Sequence, residues 1–340
     1  MIAASDKFAS PGAFRLVLAL AVFLHHTTNV NLGMTAVLVF FTLSGYWVAV
    51  MWRDGYSRTE LPYFTYLVSR AWRLLPVFAL CSVLAWALLI VRGGPFEPIG
   101  SVARQLFSNL FIFGYASLPY QVNVPGWSLD MEMQFYLVAP LLILLISRNL
   151  LVVGGCAVIS AVAQARGGAG TVAPFLFFFA VGIASAIHDV KPGKSLAYGA
   201  LAFVGVVILL CVAALVKDFM LDEPHRAPLL AFGHGTNMLL ALALTPFALW
   251  TVRQKTGARD RMLGDLSYIV YLLHWPILGA MHTGDGGYLD RIVLCTEALA
   301  LTFVAAWAIW ALFDHPINRM RSAWVAGRKA RAAEGMALAA

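Results

Sequence analysis

Hydrophobic residues fall along the chain in long runs that are separated by short polar and charged segments. A stretch of about 20 predominantly apolar residues forms a helix that is long enough to cross the hydrocarbon core of a bilayer. We identify ten such runs, at 13–30, 33–52, 70–91, 132–147, 149–165, 172–188, 195–217, 228–252, 263–281 and 290–313. The pattern predicts an all-α protein, a polytopic transmembrane helical bundle of about ten spans.

Charge placement fixes the expected orientation of these spans. With the N-terminus in the cytoplasm, 18 of the 24 lysine and arginine residues face the cytoplasm, as the positive-inside rule requires. A further apolar segment, 104–117, is short and flanked by proline and glycine, so we expect an interfacial or re-entrant piece there. An extra crossing at that point would spoil the charge bias. We therefore expect both termini in the cytoplasm.

Composition agrees with a membrane protein that has one domain. Of the 340 residues, 61% are hydrophobic and 12% are charged, whereas a soluble domain is nearer half apolar and a quarter charged. We expect a single transmembrane domain over 1–340 with its core at about 10–318, followed by a basic, alanine-rich tail that frays at its end. The net charge of +7 is not gathered in a basic patch with interleaved aromatics, which argues against a nucleic-acid partner.

The first run carries an arginine near its start and a histidine pair near its end. Arg15 and His26 are about three helical turns apart, so they share one helix face and lie roughly 16 Å apart along the axis. His25 points about 100° away. A histidine near the midplane is costly and indicates function, although a hydrogen bond to a neighbouring helix would also explain it.

Two further runs contain small or basic residues that could serve packing or binding. Ser44 and Gly45, in the second run, allow helices to approach closely. Arg70 and Arg73 share a face at the start of the third run. This arginine pair is either a membrane anchor or a bidentate clamp for phosphate.

Polar residues also mark the fourth run. Ser128 can cap a helix, and Asp130 in its first turn would be favoured by the helix dipole. Glu132 lies further along an apolar face, where capping does not explain it. We expect Glu132 near the outer surface, on the opposite side from Arg70.

The ninth run contains His274 and Pro276. His274 lies about ten residues from the cytoplasmic end, at a depth like that of His26, and we expect the two histidines to lie side by side. Pro276 frees a backbone carbonyl and can kink the helix.

Together, five motifs resemble the acyltransferase 3 family of integral membrane acyltransferases. In order they are Arg15 with His26, Phe40-Phe41-x-Leu43-Ser44-Gly45, Arg70-x-x-Arg73 with Pro76, Trp127-Ser128-Leu129-x-x-Glu132-x-x-x-Tyr136-x-x-x-Pro140, and Ser267-Tyr268-x-x-Tyr271-Leu272-x-His274-x-Pro276. The chain departs from the family pattern at Leu16, where glycine is common, and at Asp314-x-Pro316, where many members have Glu-x-Pro.

The resemblance implies acyl transfer, usually of acetyl, from acyl-CoA at the cytoplasmic side of the inner (plasma) membrane. The acceptor would be a hydroxyl of a surface glycan, a lipid-linked sugar or a secreted small molecule. His26 would act as a general base or a covalent acyl carrier, together with Arg15 and Glu132, while Arg70 and Arg73 would bind CoA phosphates. The remaining motif residues would line the site, namely Ser44, Trp127, Ser128, Tyr268 and His274.

A transporter or flippase for an acylated or lipid-linked substrate is the main alternative, since it also places ionisable residues at the midplane. No inverted repeat is visible in the sequence. A metal enzyme is not expected, because neither His26 nor His274 has a partner at ligand spacing. The resemblance implies acyl-CoA as the donor, and we expect no metal cofactor.

Overall fold

The computed structural model describes residues 9–28, 30–91, 101–168, 170–220, 233–281 and 287–339. Every regular element within these ranges is helical. In chain order the α-helices are α1 (Pro11–Thr27), α2 (Gly33–Asp54), α3 (Pro62–Val91), α4 (Val102–Phe111), α5 (Gly126–Arg148), α6 (Leu151–Ala165), α7 (Leu176–Ile187), α8 (Lys194–Met220), α9 (His234–Thr251), α10 (Ala258–Ala280), α11 (Tyr288–Ile309) and α12 (His315–Ala339). A π-helical turn at Trp310–Asp314 joins α11 to α12.

The all-helical fold class is confirmed, and each of the ten predicted runs overlaps a helix. Within the described ranges, five helical segments are long and apolar enough to cross a membrane, namely Gly33–Arg58, Pro62–Val91, Gly126–Arg148, Lys194–Ala213 and Leu289–Gly335. The count of ten spans and the cytoplasmic placement of both termini stay predictions. Lys7, Arg92 and Arg226, which entered the charge count, lie outside the described residues.

Helices α3 and α5 begin well before the apolar runs that predicted them, and α10 begins at Ala258, five residues before its run. Helix α3 begins at Pro62, eight residues before Arg70, because proline is pre-organised for the first helical position. Helix α5 begins at Gly126, six residues before Glu132. Arg70 and Glu132 therefore lie about 12 Å and 9 Å inside their helices, not at the helix starts.

Helix α4 occupies the segment that was expected to be interfacial or re-entrant. Its ten residues span about 15 Å, which is too short for a crossing. The helix buries Gln105 and Ser108 and exposes Leu106 and Phe107. An outer face of large apolar side chains suits contact with lipid, and α8 and α11 expose similar residues.

By its internal contacts the chain divides into two compact units, Met1–Leu43 with Val190–Tyr271 and Ser44–Asp189 with Leu272–Ala340. In the first unit, α1 packs on α9 and α8 packs beside α9. The Asp260 carboxylate, in the first turn of α10, accepts hydrogen bonds from the backbone N–H groups of Gly12 and Ala13 at 2.9 and 3.2 Å. These N–H groups have no partner within their own helix, so Asp260 holds the start of α1.

In the second unit, α12 packs along α3. The end of this helix was expected to fray, but it stays helical to Ala339. Arg328 donates a hydrogen bond to the Thr65 hydroxyl at 2.9 Å, and its guanidinium lies 5.4 Å from the centre of the Trp324 ring. These contacts, together with the high helix propensity of alanine, explain the order of the tail.

Candidate active site

Helix α1 carries Arg15 and His26, both half-buried, in the first unit. The helix ends at Thr27, earlier than the predicted run, so that His26 lies in its last turn. Thr28 is extended, and its hydroxyl donates to the Leu24 carbonyl at 2.7 Å. Such local side-chain bonding competes with helix continuation and accounts for the earlier end.

His25 has a packing role in the turn that follows. Its ring fits against the backbone of Gly33 at the start of α2, where an added Cβ would lie 2.6 Å from Cδ2 of His25. The rings of His25 and His26 are 4.8 Å apart and inclined at 57°, so these neighbouring histidines are oriented differently.

Glu132 is bound by two hydroxyl groups in the second unit. Ser44 Oγ donates to Glu132 Oε1 at 2.6 Å, and Tyr136 OH donates to the same oxygen at 2.7 Å. Among the described residues no group donates to Oε2. Gly45 permits this arrangement, because a Cβ there would overlap the carbonyl oxygen of Phe179 on α7.

A row of tyrosine rings runs from Glu132 to Arg70. The Tyr66 ring lies 6.2 Å from that of Tyr136 and 5.5 Å from that of Tyr56. Arg70 Nη2 donates to the Tyr56 hydroxyl at 3.0 Å. The Tyr66 hydroxyl is buried and has no hydrogen-bond partner within the described ranges. Buried polar groups normally have a partner, so this row has capacity for a ligand.

Arg70 is a buried cation that no carboxylate of the described residues neutralises. It is only 7% exposed, its Nε has no hydrogen-bond partner, and Tyr56 is its one hydrogen-bond partner in the described part of the chain. A membrane anchor would extend its charge to the interface, which disfavours that interpretation. A buried unpaired charge is costly, so this position favours an anion from outside the protein.

Arg73, by contrast, is paired with an acidic residue. Its Nη1 lies 3.1 and 3.3 Å from the two carboxylate oxygens of Asp314. The side chains are 15% and 2% exposed. The two arginines that were predicted to act as one clamp therefore differ, and the acid of the Asp314-x-Pro316 motif is a counter-ion for Arg73.

The expectation that Glu132 and Arg70 lie on opposite sides of the membrane is wrong. Helices α3 and α5 are antiparallel, since Tyr66 meets Tyr136, and Phe78, further along α3, meets the first residue of α5. The stretch between these two contacts holds Arg70 on α3 and Glu132 on α5. The predicted spans began at Arg70 and Glu132, whereas the helices themselves begin eight and six residues earlier.

Ser128 was expected to cap α5, but it does not. The helix begins before Ser128, with Pro125 as its N-cap. Its hydroxyl donates to the Pro125 carbonyl at 3.1 Å. The half-buried Trp127 packs on Phe175, with ring centres 5.4 Å apart. Asp130 is fully buried and accepts two backbone N–H bonds from the preceding loop, which is a structural role.

The carbonyl that Pro276 frees in α10 finds a side-chain donor. Asn123 Nδ2 donates to the Leu272 carbonyl at 3.1 Å, four residues before the proline. The Asn123 carbonyl in turn accepts from the Tyr115 hydroxyl at 3.0 Å, and burial raises the pKa of that hydroxyl. Asn123 was missed from the sequence, although the absent N–H of Pro276 signals a need for such a donor.

The other two predicted site residues of α10 are buried. His274 is fully buried in the second unit, and Tyr268 is buried in the first. The expectation that His274 lies beside His26 stays a prediction. No group of three or more His, Cys, Asp or Glu side chains within the described ranges could hold a metal ion.

The model of the acyltransferase 3 family, which describes an acyltransferase domain, matches residues 8–312. The chain belongs to the acyltransferase 3 family. It is also 26% identical over 352 aligned residues to acyltransferase MdmB of Streptomyces mycarofaciens, and the alignment covers 87% of this chain and 83% of that protein. No solved structure matches the chain. The family match and the similarity to this relative together support the conclusion that the chain is a membrane acyltransferase.

Proposed function

We propose that this acyltransferase transfers an acyl group, most simply acetyl, from acyl-CoA to a hydroxyl of a glycan, a lipid-linked sugar or a secreted small molecule. It works in the inner (plasma) membrane, with ten spans and both termini in the cytoplasm. Ten apolar runs that each overlap a helix, and the cytoplasmic bias of the basic residues, support this topology.

The buried guanidinium of Arg70 carries the proposal for the donor. No carboxylate of the described residues pairs with it, and phosphate is the anion that arginine binds best in a bidentate geometry. Acyl-CoA brings phosphates and a thioester in one molecule. In this proposal Arg70 binds a CoA phosphate, and Arg73 supports it from its pair with Asp314.

His26 is assigned to the chemical step. As a base, its imidazole takes the proton of the acceptor hydroxyl, the oxygen attacks the thioester carbonyl, and the carbon–sulfur bond breaks. The CoA thiolate leaves and takes the proton back from the imidazolium. As a carrier, the His26 imidazole would instead attack the thioester carbonyl, the carbon–sulfur bond would break and CoA would leave as its thiol with the imidazole proton. The acceptor hydroxyl would then displace the imidazole from the acyl group and return its proton to the ring. Glu132 Oε2 is then available to orient the acceptor, and Arg15 shares the face of His26.

The proposal is tested by the release of free thiol from acetyl-CoA. Purified protein in lipid nanodiscs is given acetyl-CoA with and without a small-molecule and glycan extract of the host. We expect acetyl-CoA binding and extract-dependent thiol release, with binding lost in Arg70→Ala and kept in the exposed control Arg319→Ala. Binding or movement of a substrate without thiol release would favour the transporter and contradict the proposal.

A further inference from the structure

A hydrogen-bonded chain joins Arg70 to a second arginine, Arg321 on α12. Arg321 Nη1 donates to Ser69 Oγ at 3.1 Å, Ser69 Oγ and Tyr56 OH share a hydrogen bond of 2.8 Å, and Arg70 donates to Tyr56 OH at 3.0 Å. From this arrangement we infer that Arg321 completes the anion site around Arg70, and that α12 is therefore part of the donor site. The inference rests on the proposed function.

The groups between the two guanidiniums are neutral hydroxyls. Tyr56 and Ser69 are 5% and 0% exposed, so water is excluded from the bonds that they make. Each hydroxyl has one proton and can accept further hydrogen bonds, but neither supplies negative charge. Two cations that converge on neutral groups repel each other, and a bound phosphate with its negative charge and several acceptor oxygens relieves that repulsion.

The docking of α12 on α3 fixes the position of Arg321. Arg321, Trp324 and Arg328 follow the i, i+3 and i+7 spacing of one helix face. Trp324 packs on Trp72 of α3 with ring centres 6.0 Å apart, and Arg328 bonds the Thr65 hydroxyl at 2.9 Å. Arg321 thus belongs to a packed face and is aimed at α3, which an unstructured basic tail would not achieve.

The same helix offers a matched control. Arg319 carries the same charge two residues away but is exposed to solvent. Substituting it removes one positive charge from the same helix without touching Ser69. General electrostatic attraction of CoA would be reduced equally in both variants, whereas a specific site depends on Arg321 alone.

The experiment measures CoA affinity by calorimetry for the wild type and for Arg321→Ala, Arg319→Ala and Arg70→Ala in nanodiscs. We expect about a 10- to 100-fold weaker affinity in Arg321→Ala, as for the loss of a hydrogen bond to a charged group, and wild-type affinity in Arg319→Ala. Raising the salt concentration should weaken CoA binding less in Arg321→Ala than in the wild type.

Unchanged CoA affinity in Arg321→Ala, while Arg70→Ala loses it, would overturn this inference and leave the proposed function standing. An equal loss in Arg319→Ala would also overturn it. Failure of the wild type to bind CoA would contradict the proposed function itself. If Arg321→Ala does not fold, the CoA affinity of Arg321→Gln tests the inference instead. Glutamine keeps a hydrogen-bond donor for Ser69 but loses the charge. Wild-type CoA affinity in Arg321→Gln would overturn the inference.

Discussion

Arg70 and Arg73 lie one turn apart on α3 and should respond in opposite ways to replacement by methionine. Methionine is flexible and apolar and fills irregular core space. In Arg70→Met the substitution removes a buried cation whose one hydrogen-bond partner in the described ranges is the Tyr56 hydroxyl. In Arg73→Met it leaves the carboxylate of Asp314, 2% exposed, without the guanidinium that lies 3.1 Å away.

The structure sets the size of the two effects. Removal of one partner from a buried ion pair costs about 3–5 kcal/mol, so Arg73→Met should lower the free energy of unfolding by about that amount. Arg70→Met loses one hydrogen bond to Tyr56, worth about 1.5–3 kcal/mol for a charged group, but it also removes a desolvation penalty of several kcal/mol. We expect Arg70→Met to be neutral or stabilising.

Thermal unfolding of both variants in one detergent, with and without CoA, measures these effects. Arg70→Met should keep or raise the unfolding temperature and lose the stabilisation by CoA, while Arg73→Met should unfold at a clearly lower temperature. Adding Asp314→Leu to Arg73→Met should restore part of the loss, because apolar replacement of both partners is often neutral. Equal destabilisation by Arg70→Met and Arg73→Met would refute the view that Arg70 is kept for an external anion.

Three further predictions concern topology, the acidic residue and the proline. Reporter fusions at positions 220 and 257 should report opposite sides of the membrane with 220 outside, and reports from the same side would contradict the ten spans. Glu132→Gln should fold normally, since both hydroxyl donors can bond an amide oxygen, but should lower the acyl-transfer rate at least about 100-fold; an unchanged rate would exclude a catalytic role. Asn123→Leu leaves the Leu272 carbonyl without its donor and should cost about 1–3 kcal/mol in chemical unfolding, whereas wild-type stability would show that the bond is dispensable.

The helices could be predicted from the sequence because apolar runs of spanning length are a local signal. Their starts could not, because the first turns of α3 and α5 contain polar residues that the apolar pattern leaves out. That shortfall moved Arg70 and Glu132 to the helix ends and produced the wrong placement on opposite sides.

The motif residues could also be identified from the sequence, but their hydrogen-bond and ion-pair partners could not be predicted. Arg73 and Asp314 are separated by 241 positions, and only the packing of the helices brings them together. The link from Arg321 to Ser69 spans 252 positions and had no sequence signal beyond a basic helix. The donor for the carbonyl freed by Pro276 was predictable in kind, although the choice of Asn123 depends on the loop before α5.

The most direct test of the account compares His26→Ala with His25→Ala in acyl transfer from acetyl-CoA, at matched amounts of folded protein. We expect His26→Ala to lose at least about 10²–10⁴-fold in rate, as for a missing general base. His25→Ala should keep most of its activity and lose some stability, because the His25 ring packs against Gly33. Loss of transfer in His25→Ala alone, or retained activity in both variants, would contradict the central claim that His26 carries the chemistry.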